Sequence, residues 1–280
     1  MDCFSDNRAA LMDHLHYALQ SAEQQQHNLD AGMTDMFASI TTDELVKPLP
    51  EYEAWDEKTR LIQEKEALGL FLTGHPLLLV EREVQQISPT NLAHWLDKLN
   101  TGVSSTGNYR QKEQQTRVCG LVVDIRNKNG PNGREAFVTL DDRSARIEVR
   151  VVSKMLQEIE DIVQKDLIWV VDGGIAYDDF NNGIKIRAAR VQLLENYRFA
   201  HASALHITLN GGITKEFETL ISDLDSYRSQ NALPVVFHLQ HEDYLYELKT
   251  NGQWSVAPSE QCLLSLEKYL DKSDFYFEYR

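Results

Sequence analysis

Thr116-Arg-Val-Cys-Gly-Leu-Val-Val-Asp-Ile-Arg126, followed by the turn-rich Asn127-Lys-Asn-Gly-Pro-Asn-Gly133, begins the stretch that decides the fold. Behind it come Glu135-Ala-Phe-Val-Thr-Leu140, the turn Asp141-Asp-Arg-Ser144 and Ala145-Arg-Ile-Glu-Val-Arg-Val-Val152. Ser153–Gln164 has helical spacing and separates these from Leu167–Tyr177 and Ile184–Leu194. Alternating apolar and polar residues, rich in Val and Ile and bounded by Gly, Asn and Asp, read as short strands.

Three strands, an inserted helix and two further strands is the order of the OB-fold, a five-stranded Greek-key barrel. Period-two alternation assigns faces. In the first strand Cys119, Leu121, Val123 and Ile125 share the inward side. In the third, Ile147, Val149 and Val151 point in, and Arg146, Glu148 and Arg150 point out. In the fifth, Ile184, Ile186 and Ala188 oppose Lys185, Arg187 and Ala189. Met155, Leu156, Ile159, Ile162 and Val163 form the apolar face of a helix that plugs the barrel's end.

Ahead of the barrel, Asn7–Gln26 reads as a helix capped by Ser5 or Asp6, with Ala10, Leu11, Leu15, Ala18, Leu19 and Ala22 on one face. Polar linker 31–51 contains an isolated Met-Thr-Asp-Met-Phe run, then Pro48 and Pro50. Tyr52–Leu72 returns to helix, with Trp55, Thr59, Ile62 and Glu66 on one side, stopped by the turn Gly74-His75-Pro76. Leu78–Val84 and Asn91–Leu99 are short helices. Beyond the barrel, Ala204–Leu209 is a strand and Thr214–Tyr227 a helix. Strands follow at Pro234–Gln240, Tyr244–Thr250 and Trp254–Ala257, the last two joined through the hairpin signal Asn251-Gly252. Ser259 caps helix Glu260–Leu270, and Asp274–Arg280 alternates as a final strand. The expected architecture is α+β and multidomain: a helical segment at 1–30, a linker at 31–51, a helical connector at 52–111, the barrel at 112–196 and a small α/β domain at 197–280.

At 42% hydrophobic and 25% charged residues, the composition is that of an ordinary folded chain. No apolar run approaches the roughly 18 residues that span a bilayer, and no signal segment opens the chain, so a cytoplasmic protein without a membrane partner is expected. Cys3, Cys119 and Cys262 are too far apart in sequence for a disulfide framework or a metal site. A net charge of −15 argues against a general nucleic-acid coat. The charge is uneven: residues 1–111 hold 8 basic and 17 acidic side chains, 112–194 hold 13 of each, and 195–280 hold 7 and 13. The barrel is therefore neutral within an acidic chain.

No phosphate-binding glycine loop, nucleophile elbow, Cys–His arrangement or metal-ligand histidine spacing is present, so no catalytic residue is assigned. The pairs Asp141-Asp142 and Asp178-Asp179 sit in turns between strands, where Asp is a turn former; a Mg²⁺-dependent nuclease built on Asp141-Asp142 is the discarded alternative. Arg126, Lys128 and Arg134 flank the 1–2 loop, and Arg143, Arg146 and Arg150 lie on or beside strand three. Phe137 stands in strand two, Phe180 tips the 4–5 loop, and Lys185 and Arg187 follow it. Cations that track phosphates beside rings that stack on bases form a single-strand-binding set. The competing reading is a barrel that contacts only protein. In the linker, Met33, Asp35, Met36 and Phe37 form an anchor peptide suited to a partner's pocket.

These stretches resemble the C-terminal region of the alpha subunit of bacterial DNA polymerase III. The resemblance rests on Arg8-Ala-Ala-Leu-Met12, Thr34-Asp-Met-Phe37, Glu66-Ala-Leu-Gly-Leu-Phe-Leu-Thr-Gly-His-Pro76, Gly120-Leu-Val-Val123, Thr139-Leu-Asp-Asp-Arg-Ser144 and Asp178-Asp-Phe180. It implies that the first helix is the tail of a helix-hairpin-helix region and that the barrel handles single-stranded template. It implies further that Met33–Phe37 docks on the beta sliding clamp and that the last domain binds the tau subunit of the clamp loader. The family's clamp peptide usually begins with glutamine; Met33 stands there, and losing that side chain's hydrogen bond implies a clamp affinity weaker by about 1 kcal/mol. By resemblance the complete protein is a DNA-directed DNA polymerase using Mg²⁺. Its catalytic aspartates belong to a portion this chain lacks, leaving the chain no cofactor of its own and the rest of the alpha subunit as a partner.

Overall fold

The computed structural model describes residues 7–30, 52–101, 113–130, 133–178, 183–210, 215–241, 244–250 and 254–279. The chain divides into two compact units, Met1–Pro76 and Leu77–Arg280.

In the first unit, α1 spans Arg8–Asp30 and α2 spans Glu57–Leu68. Asn7 Oδ1 accepts from the amide of Ala10 at 3.2 Å, supplying the cap expected from Ser5 or Asp6, both outside the described residues. Of the expected α1 face only Ala10 is buried, and Leu19 is exposed. Asp56 caps α2, accepting from the Thr59 amide. That helix buries Leu61 and Glu64, whereas Ile62 stays exposed. It ends at Gly69 (φ 79°), whose amide donates to Lys65 O, several residues before the Gly74–Pro76 turn that was expected to stop it. An αL residue closes a helix most cheaply when it is glycine, so the nearer Gly decides. Glu64 then folds over the following loop, accepting from the Thr73 amide and hydroxyl.

In the second unit, a 3-10 turn at Pro76–Val80 leads into α3 (Glu81–Ile87) and α4 (Leu92–Thr101). The barrel strands are β1 (Gln114–Gly130), β2 (Gly133–Asp141), β3 (Arg146–Val151), β4 (Ile168–Asp178) and β5 (Gly183–Leu193). They close in the order β1-β2-β3-β5-β4, with β3 and β5 parallel and the other pairs antiparallel. This is the expected OB order. α5 (Ser153–Glu158) and a 3-10 turn at Glu160–Ile162 replace the single helix read over 153–164. Met155, Leu156, Ile159, Ile162 and Val163 nonetheless pack against the barrel core as expected. Trp169, fully buried, donates its indole N–H to Ile162 O at 3.0 Å and ties the plug to β4.

The faces of β3 and β5 follow the alternation: Ile147, Val149, Val151, Ile184, Ile186 and Ala188 all lie in the core. The first half of β1 does not. Val118 and Val122 point in, while Cys119 faces outward into a second cluster with Ile87, Val170, Leu194 and Tyr197. A register shift between Val122 and Asp124 resets the period, so Ile125 returns to the core side. Both faces before the bulge are buried, so hydrophobicity alone cannot tell them apart. A second shift, at Asp172/Gly173, needs glycine: a Cβ there would sit 2.3 Å from Arg187 O.

After the barrel come α6 (Leu194–His201), which the alternation did not reveal, β6 (Ala202–Asn210), α7 (Lys215–Asp225) and β7 (Arg228–His241). β8 (Tyr244–Lys249), β9 (Ser255–Val256), α8 (Glu260–Leu266) and β10 (Phe275–Tyr279) complete the chain. The sheet runs β10-β6-β7-β8, and β9 pairs with β7. The strands flanking Asn251-Gly252 therefore do not pair with each other as expected. Val256 is fully buried in the core beneath α7 and α8, and that burial outweighs the local turn signal. Ser259 caps α8 as read, accepting from the Cys262 amide.

A buried node fastens barrel to sheet domain. Arg198 of α6 donates to Glu83 of α3 through Nε (2.9 Å) and Nη2 (2.7 Å), with side chains only 5% and 8% exposed. The Tyr279 hydroxyl donates to the same carboxylate, and Phe277 lies under the Arg198 guanidinium at 5.1 Å. Burial works to lower the Arg198 pKa, but the Glu83 hydrogen bonds and charge prevail and raise it. Burial, then the Glu83 charge, pushes the Tyr279 phenol far above its ordinary value. Removing one member of a buried pair strands the other's charge. Glu83→Gln and Arg198→Met are each expected to lower unfolding free energy by about 3–5 kcal/mol in urea melts.

Candidate nucleic-acid interface

Strand pairing assembles the expected cations into rows across the outer barrel wall. Arg126 of β1 pairs with Phe137 of β2, Phe137 with Arg150 of β3, and Arg150 with Arg187 of β5. The result is one transverse row, Arg126–Phe137–Arg150–Arg187, about 15 Å long at three strand spacings. The arginines are exposed and the phenyl ring half-buried. The adjacent row on the same face is Asp124–Thr139–Glu148–Lys185.

Carboxylates hold these cations in place. Glu148 takes both Arg126 and, at 2.6 Å, Lys185 Nζ, which itself lies 5.5 Å from the centre of the Phe137 ring. Arg150 donates twice to Glu135, at 2.9 and 2.8 Å. The Arg150 hydrogen bond, opposed by desolvation, holds the Glu135 carboxyl below its usual range, with a contribution from Lys128. Asp124 is lowered by its contact with Lys165. Among the described residues, neither Lys128 nor Arg187 forms an ion pair, and both are exposed. Fork geometry fixes the Arg150 head, and Glu148 holds Arg126, so these two members of the row are preorganised.

Three expected cations lie apart from the row. Arg134 meets Glu160 at 3.2 Å beside the plug. Arg146 bonds Asp141 across the hairpin at 2.7 Å, at the far end of the same face. Arg143, at φ 73°, turns toward α3 and reaches Glu81 at 3.0 Å. Phe180 and the peptide Met33, Asp35, Met36 and Phe37 lie outside the described residues.

Asp141 and Asp142 are turn and capping groups. Asp142 Oδ1 accepts from the amides of Ser144 and Ala145, and its Oδ2 accepts from the Leu92 amide at 2.7 Å. Ser144 Oγ takes the Ala93 amide and Asn91 Oδ1 the His94 amide, so three first-turn donors of α4 are satisfied by side chains. Among the described residues no three His, Cys, Asp or Glu side chains are grouped to hold a metal ion. The sequence reading missed the counter-ions Glu135 and Glu148. The signal for Glu148 was the alternation Arg146-Ile-Glu-Val-Arg150, which sets an acid between bases on one face.

Comparison with known proteins agrees with the resemblance. No family model matches the chain. DNA polymerase III subunit alpha of Vibrio cholerae is 31% identical over 100% of this chain and 23% of its own length. The Pseudomonas aeruginosa subunit is 30% identical over 98% of the chain and 22% of its own length. The Escherichia coli K12 subunit is 28% identical over 99% and 23%. Along its whole length the chain is thus similar to these alpha subunits, of which it spans under a quarter. Among solved structures, the small single-stranded DNA-binding protein of Streptomyces coelicolor covers 30% of this chain and 94% of its own, at 14% identity and TM-score 0.27. The second single-stranded DNA-binding protein of Mycobacterium smegmatis covers 29% and 89%, at 14% identity and TM-score 0.27. No helix among the described residues is long and apolar enough to cross a membrane.

Asp142→Ala removes the acceptor of four donors: the amides of Leu92, Ser144 and Ala145 and the Ser144 hydroxyl. It is expected to cost about 1–2 kcal/mol in thermal or urea unfolding, with the loss unchanged by added Mg²⁺ or chelator.

Proposed function

We propose that the chain is the non-catalytic C-terminal part of a replicative DNA polymerase III alpha subunit, acting in the cytoplasm to guide single-stranded template past a catalytic core elsewhere. The observation that carries the DNA reading is the Arg126–Phe137–Arg150–Arg187 row. Its arginines follow phosphates while Phe137 offers a ring for base stacking, worth about 1–3 kcal/mol per base. Lys128 and Lys185 extend the cationic edge, and Arg134, Arg143, Arg146 and Phe180 are the outlying members of the proposed set. Glu148 and Glu135 position the cations in the free state and yield them when phosphate arrives.

The same reading gives the other segments partners. Met33, Asp35, Met36 and Phe37 dock on the beta sliding clamp through their apolar side chains. The β6–β10 domain binds the tau subunit of the clamp loader, and the remainder of the alpha subunit carries the Mg²⁺-dependent chemistry. What supports these assignments is the similarity to alpha subunits over the full chain.

A protein-only barrel is the second reading. It is favoured by one observation: most cations of the wall are already paired with carboxylates. Fluorescence titration with a single-stranded oligonucleotide at two salt concentrations separates the two. Binding that weakens with salt is expected, Arg187→Ala and Phe137→Ala are each expected to lose about tenfold, and Glu148→Gln to tighten it. No binding at either salt leaves the protein-only reading. Separately, Phe37→Ala is expected to abolish retention of the chain on immobilised sliding clamp; undiminished retention removes that peptide from the reading.

A further inference from the structure

We propose that the outer edge of β8 is an interface between two copies of this chain, paired antiparallel about a two-fold axis at Leu248. Among the described residues no strand lies beyond β8, which ends the order β10-β6-β7-β8. An unpaired edge offers a row of backbone donors and acceptors that a second strand satisfies. The side chains indicate which strand. Leu248 pairs with Phe237 and Tyr246 with Leu239, both in the domain core, yet Leu248 and Tyr246 are each 51% exposed. They continue the apolar face of the sheet beyond the cover given by α7 and α8. On the opposite face stand Glu247 and Lys249, both exposed.

Antiparallel pairing about a two-fold axis perpendicular to a sheet keeps each face on its own side, so the axis must lie midway between the two copies of one residue. Centred on Glu247, the pairing sets that carboxylate against its own copy. Centred on Tyr246, it leaves Glu247 opposite Leu245. Centred on Leu248, it sets Glu247 against Lys249 of the second copy, twice, and places Leu248 against Leu248. Opposite charges directly across an antiparallel pair stabilise it and like charges destabilise it. One register therefore satisfies charge and apolar face together, and the contact is isologous. The proposal is independent of what the barrel binds.

Sedimentation equilibrium of the full chain over a concentration series tests it. The chain is expected to dimerise, and Glu247→Lys or Lys249→Glu, both at exposed positions, to raise the dissociation constant by about tenfold or more. An equimolar mixture of the two variants is expected to recover association, because two basic side chains of one copy then face two acidic ones of the other. Monomer throughout the wild-type series overturns the proposal. So does a dimer indifferent to both reversals, or a mixture that associates no better than either variant alone.

Discussion

Glu83 receives the Arg198 guanidinium at two oxygens, both side chains out of water, and also the hydroxyl of the half-buried Tyr279. Those three residues come from α3 ahead of the barrel, α6 behind it and the last strand of the terminal sheet. Burying a carboxylate is tolerated only when its charge and lone pairs are met. The node therefore constrains three remote parts of the chain to one arrangement. Around it the contacts are of the same kind. Arg117 of β1 bonds Asp172 of β4 at 2.6 Å and the Tyr197 hydroxyl at 2.8 Å, and Arg82 lies 3.7 Å from the centre of the Tyr276 ring. The apolar cluster of Ile87, Cys119, Val170, Leu194 and Tyr197 fills the space between. Barrel and terminal sheet consequently share one short helix, α3, as their common wall.

The candidate interface depends on a different constraint, the pairing register. None of Arg126, Phe137, Arg150 and Arg187 is near another in sequence, and closure of the barrel alone aligns them. A slip of one residue in any strand would turn its member of the row into the core. Asp142, Ser144 and Asn91 serve that alignment indirectly, docking α4 onto the β2–β3 hairpin so that Trp95 and Leu99 reach the barrel core.

Much of this was legible in the chain. Strands such as Arg146–Val151, with one face buried and one charged, announce both their conformation and their orientation. Legibility fails where both faces are covered. Cys119 and Leu121 read as core because they are apolar, but Cys119 packs outward against Ile87 and Tyr197, and a bulge then shifts the count. It fails also where a long-range partner overrules a local signal, as when β9 pairs with β7 in place of closing a hairpin at Asn251-Gly252. The candidate cations were visible one by one, but not their counter-ions. Glu148 spans cations from two strands, Arg126 and Lys185, that are 59 residues apart in sequence, and no spacing rule registers such a contact.

Glu148 and Glu135 also fix the thermodynamic character of anything that docks on the wall. A bare cationic groove condenses small ions poorly but, on meeting a polyanion, sheds the counter-ions gathered on that polyanion, and the entropy of their release drives association. Here the Arg126 and Arg150 guanidinium groups carry their own tethered anions, Glu148 and Glu135. An arriving phosphate must exchange with a carboxylate that remains behind, repelling it at close range. Each exchange therefore neutralises less than one full charge, and the logarithmic salt slope must be shallower than the number of basic side chains in the rows suggests. A polyanion docking on the proposed interface would therefore be held lightly and released easily.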